Sequence, residues 1–128
     1  MAVRLRRPDA AMRVSRLDAL AFTTTVAGDA SAYAPVLLGR LHADLGDVRA
    51  ALAAVRRRQY MVGWPRYLAT ALREEGRYAA GAGDAAGAKS AYARYLALRA
   101  DADSILSADV QRARLAHDAL RAGGPVSP

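Results

Sequence analysis

Apolar positions recur three and four residues apart along most of the chain, and breaks rich in Gly, Asp, Thr or Pro separate the runs. This pattern predicts helices at about Ala10–Phe22, Ser31–Leu45, Val48–Arg58, Pro65–Ala82, Ala85–Ala100 and Ser107–Arg121. Pro35 is expected in the first turn of the second helix, where a missing N–H costs little. A basic flexible arm, 1–9, is expected before this helical domain of residues 10–122, and a flexible tail, 123–128, after it.

Apolar stripes indicate which face of each predicted helix turns inward. In the first helix the stripe contains Met12 or Val14, followed by Leu17 and Leu20. In the later helices the inward residues are mostly leucine and alanine, joined by valine and tyrosine. A chain of this kind favours close helix–helix approach over a thick core.

Twenty positions recur 37 residues later without a gap, so that Gly39–Arg58 aligns with Gly76–Tyr95. Eight of the aligned pairs are identical: Gly39/Gly76, Arg40/Arg77, Ala43/Ala80, Gly46/Gly83, Asp47/Asp84, Ala51/Ala88, Ala54/Ala91 and Arg57/Arg94. Each copy has a Gly-Asp pair between two helices, where glycine suits the left-handed end of one helix and aspartate the N-cap of the next. The repeat predicts two antiparallel hairpins, at about 31–58 and 65–100, and a capping helix at about 105–121.

Small residues at matched positions predict that the two helices of each hairpin lie close together. Gly39 and Gly76 stand seven residues before the turn glycines, and Ala51 and Ala88 stand five after them. Such hairpins bury their outer faces by stacking, and about three repeats are usually needed. The first and last helices are therefore expected to act as caps. If they do not suffice, the chain is expected to form a homodimer or to belong to a longer array.

The second copy resembles the tetratricopeptide repeat, and the residues that carry this resemblance are Gly76, Gly83-Asp84, Ala88 and Tyr92. The first copy has Val55 at the aromatic position, and the period of 37 differs from the family's period of about 34. The extra residues are assigned to the loop Gln59–Trp64. The resemblance implies an all-α fold of about six helices, in which antiparallel hairpins stack as a short right-handed superhelix.

A longer stretch, Leu17–Leu120, resembles the C-terminal helical-repeat region of some bacterial serine/threonine protein kinases and repeat-containing regulators. The run that begins at Arg56, RRRQYMVGWPRYLATALREEGRYAAGAGD, carries this resemblance. It implies a sensory or scaffolding module with a kinase or regulator as partner. No catalytic residue carries over, because the chain has no kinase glycine-rich loop, no His-Arg-Asp loop and no Asp-Phe-Gly motif.

The charge of the chain is strongly positive, at +7, and Lys89 is the only lysine. Arginines cluster in two places, between Arg4 and Arg16 and at Arg56–Arg58. Cations at the end of a helix are favoured by the helix macrodipole. The functional alternative is a contact with an acidic peptide, a phosphate or nucleic acid. A basic module that binds nucleic acid or an anionic surface is therefore the alternative function.

The sequence predicts no catalytic, metal or cofactor site. It has no cysteine, and its two histidines, His42 and His117, lack the spacing of metal ligands. The segment before Lys89 resembles a phosphate-binding loop, but Ala88 replaces the required glycine and the preceding segment is helical. We therefore expect a protein that is not an enzyme and needs no cofactor.

The interaction surface is expected on the first helix of the second hairpin and on the segment before it. Glu74 is expected to pair with Arg77 or Tyr78. The candidate partner-binding residues are Tyr67, Thr70, Glu74, Arg77, Tyr78, Arg56, Arg57, Arg58, Tyr60 and Trp64. The predicted function is a scaffold module that binds a protein or peptide in a groove. No apolar run reaches about 18 residues and no export signal is seen, so we expect no membrane span and a cytoplasmic location.

Overall fold

The computed structural model describes residues 8–21, 29–58, 67–101 and 106–123, and it confirms the predicted all-α fold. The helices are α1 (Ala10–Ala21), α2 (Asp29–Asp44), α3 (Val48–Arg56), α4 (Leu68–Gly81), α5 (Ala85–Leu98) and α6 (Ser107–Arg121). Within the described ranges there is no strand. The chain forms two compact units, Met1–Tyr67 and Leu68–Pro128. Most of the predicted arm and tail lies outside the described residues, and the superhelical stacking of the hairpins stays a prediction.

The predicted helix boundaries hold closely at α6 and less well at the starts of α2 and α4. Because α2 begins at Asp29, Pro35 lies inside the helix and not in its first turn, so that expectation was wrong. Proline there removes the hydrogen bond to the carbonyl of Ser31, but its ring is fully buried. The predicted start of α4 at Pro65 was also wrong, because Tyr67 has a left-handed φ of 64° and the helix begins after it.

The two Gly-Asp turns adopt the same backbone geometry in both units. Gly46 and Gly83 have φ values of 85° and 82°, a region that favours glycine. The N–H of Asp47 donates to the carbonyl of His42 at 3.0 Å, and that of Asp84 donates to the carbonyl of Ala79 at 2.8 Å. These bonds span five residues, as in a Schellman C-cap. The predicted helix ends are confirmed.

The same aspartates also begin the following helices. Asp47 Oδ1 accepts from the N–H of Ala50 at 2.9 Å, and Asp84 Oδ1 accepts from the N–H of Gly87 at 2.9 Å. Each aspartate therefore satisfies an orphan donor at one helix start, while its own N–H satisfies an orphan acceptor at the end of the preceding helix. A single aspartate thus caps the end of one helix and the start of the next, which fixes a short antiparallel connection between them.

In the first unit, α2 and α3 form the hairpin and α1 packs against α2. The inward face of α3 consists of Ala51, Ala54 and Val55, each fully buried, and of Leu52. The small-residue prediction for Ala51 is confirmed. From α1, by contrast, only Ala10 and Val14 are buried, with Leu41 of α2 packed against them.

The apolar stripe predicted for α1 was therefore only partly correct. Val14 is 2% exposed, whereas Met12, Leu17 and Leu20 are 53%, 52% and 62% exposed. Burial of apolar surface contributes roughly 25 cal/mol per Å², so a helix that buries two small side chains is held weakly by the hydrophobic effect. The outer helix of the second unit, α6, likewise buries two residues, Ala113 and Leu120.

In the second unit, α4 and α5 form the hairpin and α6 packs against α5. A Cβ added at Gly76 would come within 2.8 Å of the Tyr92 ring, so the ring lies directly on the backbone of α4. Ala88 is fully buried, and Tyr92 is 5% exposed. The close approach of the two helices predicted from Gly76 and Ala88 is confirmed, and Tyr92 is the residue that contacts Gly76.

Candidate partner-binding site

A buried carboxylate lies at the centre of the second hairpin. Glu74 is 6% exposed, although it sits on α4 among alanines and leucines. Its Oε2 lies 2.7 Å from Nη2 of Arg77, and its Oε1 lies 3.8 Å from Nη2 of Arg73. Since a buried charge is costly unless it is paired, these arginines explain why a carboxylate is stable there. The predicted pairing of Glu74 with Arg77 is confirmed.

Arg77 combines a fixed position with an exposed surface. Its Nη2 donates to the Tyr78 hydroxyl at 3.0 Å, and the guanidinium carbon lies 4.8 Å from the centre of the Tyr78 ring. The side chain is 52% exposed. A guanidinium has five N–H donors in a planar fork. Because the Arg77 side chain is half exposed, part of this fork faces solvent and is suited to bind a second acceptor.

Electrostatic effects keep this group charged. Burial acts to lower the pKa of Arg77, but the charge of Glu74 and the hydrogen bonds to Tyr78 and Glu74 outweigh it, so the pKa is raised. Burial raises the pKa of the Tyr78 hydroxyl, and Glu74 raises it further against the opposing effect of Arg77. Burial also raises the pKa of Tyr92. At neutral pH the guanidinium of Arg77 is therefore charged, and the phenols of Tyr78 and Tyr92 are neutral.

The same carboxylate region is linked to the last helix. Arg73 of α4 contacts Asp109 in the first turn of α6, and Arg112 contacts the same carboxylate from one turn further along. Asp109 also lies where a helix N-terminus favours negative charge. This link fixes Arg73 on one side of Glu74 and ties α6 to α4.

The remaining groove candidates occupy different environments. Thr70 is half-buried on α4, while Tyr78 is 2% exposed and belongs to the core. Tyr67 belongs to the first unit, where its ring lies 4.9 Å from that of Tyr33 with a 51° tilt. Among the groove candidates of the second hairpin, Arg77 is the one with an exposed side chain. Glu74 and Tyr78 are buried against it and hold it in place.

The arginine cluster ends α3 as the sequence predicts. Arg56 is the last helical residue, Arg57 is the C-cap, and Nη1 of Arg58 donates to the carbonyl of Val55 at 3.4 Å. Arg57 contacts the carboxylate of Asp18 on α1. Cations there are favoured by the helix dipole, and one of them already binds an acidic group. The other two candidates, Tyr60 and Trp64, lie outside the described residues.

Sequence reasoning missed the partners supplied by distant helices. Asp18 and Asp109 are separated from their arginine partners by 39 and 36 positions. A pattern within one helix reveals pairs three or four residues apart, which is how Glu74 and Arg77 were paired. It carries no information on which aspartate of another helix will face a given arginine.

No family model, curated protein or solved structure matches this chain. In the described ranges, no helix is long and apolar enough to cross a membrane. The same part of the chain holds no group of three or more His, Cys, Asp or Glu side chains arranged to bind a metal ion.

Proposed function

We propose that the chain is a non-catalytic protein-interaction module that binds an acidic segment of a partner protein or peptide. The observation that carries this proposal is the half-exposed guanidinium of Arg77, held on one edge by Glu74 and Tyr78. An arginine whose position is fixed before binding loses little conformational entropy when a partner binds. Planar guanidinium groups recognise carboxylates in a bidentate manner.

The repeat architecture supports the same class of function. Helical hairpins with small buried contact residues, such as Gly76 and Ala88, typically stack into arrays whose exposed concave surface binds partners. The proposed groove follows α4 and contains Thr70 and Arg77. A kinase or regulator as partner belongs to the same proposal and rests on the resemblance to kinase-associated repeat regions. A cytoplasmic location is also part of the proposal.

The test compares the full chain with Arg77→Lys in quantitative affinity capture. Lysine keeps the pairing with Glu74 but lacks the planar fork, so we expect the fold and thermal stability to change little. Arg94→Lys is the matched control, because Arg94 is exposed on the other helix of the same hairpin. Specific partners should bind Arg77→Lys about tenfold more weakly, which corresponds to about 1.4 kcal/mol. They should bind Arg94→Lys as tightly as the unchanged chain. Equal capture by all three would contradict the proposal.

A second candidate function, binding of nucleic acid or an anionic surface, is favoured by the net charge of +7. Its expected property is an affinity that falls steeply as salt is raised, since binding releases counterions. A filter-binding titration of single-stranded RNA at several salt concentrations measures this slope. Weak binding with no salt dependence would exclude this candidate.

A further inference from the structure

An acidic side chain from α1 occupies a basic recess at the end of the first hairpin. Oδ2 of Asp18 lies 3.3 Å from Nε2 of His42, in the last turn of α2, and Oδ1 contacts Nη2 of Arg57, the C-cap of α3. The Asp18 and His42 side chains are only 24% and 13% exposed. Two helices thus contribute one cationic group and one imidazole to a recess that binds a carboxylate.

The helix that supplies this carboxylate is weakly attached. Its buried apolar residues are Ala10 and Val14, while Met12 and Leu17 are more than half exposed. An alanine and a valine bury far less apolar area than the leucines and tyrosines of the hairpin cores. The contacts of Asp18 therefore add to the small apolar contact that holds α1 on the hairpin.

We propose that His42 and Arg57 form a carboxylate-binding site and that Asp18 occupies it as an internal competitor of an acidic peptide. This proposal rests on the proposed function, from which it takes the acidic peptide as the class of partner. An acidic peptide binds here when α1 leaves, so α1 acts as an autoinhibitory element of the first hairpin. The bound Asp18 is the evidence that the recess accepts a carboxylate.

The exchange is energetically feasible. A partly exposed ion pair contributes only about 0.2–1 kcal/mol, so a multivalent acidic peptide that reaches Arg57 and its neighbours can replace it. The internal carboxylate still competes well, because a tethered group acts at a high effective concentration. Removing Asp18 should therefore increase affinity for the peptide, and removing Arg57 or His42 should decrease it.

The experiment measures fluorescence anisotropy of a blocked oligoglutamate peptide with the full chain at low ionic strength. Asp18→Asn should bind about threefold more tightly, the size expected of one partly exposed ion pair. Asp44→Asn is the control, because it changes the net charge equally and Asp44 is exposed at the end of α2. In the Arg57→Gln and His42→Gln backgrounds, the gain from Asp18→Asn should disappear.

Hydrogen exchange of the α1 amides gives a second, independent measurement. Saturating oligoglutamate should accelerate exchange in α1 of the unchanged chain, since the peptide displaces the helix. Equal gains for Asp18→Asn and Asp44→Asn would show general electrostatic attraction and overturn the proposal, as would peptide binding with no change in α1 exchange. A gain seen with a single-stranded oligonucleotide and not with oligoglutamate would assign the recess to phosphate and also overturn it.

These results are separable from the proposed function. The test of the proposed function changes Arg77 in the second unit, whereas this one changes Asp18, His42 and Arg57 in the first. Loss of partner capture in Arg77→Lys with no Asp18 effect would refute the autoinhibitory role alone. An Asp18 effect without any dependence on Arg77 would refute the Arg77 site alone.

Discussion

The two hairpins have the same turns and different interiors. In both, a left-handed glycine and an aspartate that caps two helices join the pair, with matching hydrogen bonds. At the position where α5 packs on α4, however, the second hairpin has Tyr92 and the first has Val55. The connection is therefore specified by a short motif, while the volume between the helices is free to vary. The two copies therefore share the geometry of the turn, but different side chains fill the space between their helices.

The matched arginines show the same difference at the surface. Arg77 donates to Tyr78, the next residue, at 3.0 Å, whereas Arg40 donates to Tyr33, seven residues earlier, at 3.1 Å. The position of Glu74 corresponds to that of Leu37 in the first copy, which is 46% exposed. Next to the matched arginines, the second hairpin thus has a buried carboxylate where the first hairpin has an exposed leucine. This is why the proposed function places the partner contact on the second hairpin.

The largest expected effect comes from the contact between Gly76 and Tyr92. Gly76→Ala places a Cβ within 2.8 Å of the ring, so we expect the free energy of unfolding to fall by about 1–3 kcal/mol, as for other overpacked cores. This is opposite to the gain of about 0.5–1 kcal/mol that Gly→Ala gives in an ordinary helix. Chemical denaturation with circular dichroism measures the change.

The control for this prediction gives the second hairpin the residue that the first hairpin has at the matched position. In a Tyr92→Val background the second hairpin has the residue type of Val55, and the added methyl group no longer meets a ring. Gly76→Ala should then be neutral or stabilising, which a double-mutant cycle would record as a strong coupling. Independent, additive effects of the two changes would show that the ring does not limit the spacing of α4 and α5.

A smaller effect is expected from the two capping aspartates. Asp47→Ala and Asp84→Ala each remove a side-chain acceptor from a helix start, which typically costs about 1 kcal/mol. Because the two turns have the same geometry, the costs should be nearly equal even though the cores differ. Native-state hydrogen exchange would assign each loss to its own hairpin. Clearly unequal costs would show that the core, and not the turn, determines the strength of the cap.

Local chemistry made much of this fold predictable. The turns at Gly46-Asp47 and Gly83-Asp84 follow from the conformational freedom of glycine and the capping ability of aspartate, both properties of single residues. The burial of Ala51 and Ala88 follows from helical periodicity and from the repeat. The pairing of Glu74 with Arg77 follows from a spacing of three residues on one helix. Each inference needed only a few neighbouring positions.

The errors arose where the outcome depends on distant parts of the chain. Leu17 and Leu20 belong to an apolar stripe, but the first unit buries only Ala10 and Val14 from that helix. The α2 helix continues before Pro35, whose ring is fully buried, and no local pattern shows that packing. Asp18 reaches Arg57 across 39 positions, a contact that depends on how α1 lies on the hairpin.

The smallest expected effect is that of the buried Tyr78 and Tyr92 hydroxyls on stability. It should be measurable only at alkaline pH, where it should destabilise the second hairpin and not the first. The pKa values of Tyr78 and Tyr92 are raised mainly by burial, whereas the ordinary tyrosine value of the unfolded chain is about 10. Their contribution to stability is therefore complete below about pH 10 and is lost as the pH rises through the folded-state pKa values. Val55 and Leu41 stand at the matched positions of the first hairpin and cannot ionise.

Hydrogen exchange at rising pH should show α4 and α5 losing protection before α2 and α3, and the Tyr78→Phe/Tyr92→Phe variant should remove that difference. If the variant loses protection as early as the unchanged chain, the buried phenols are not the cause.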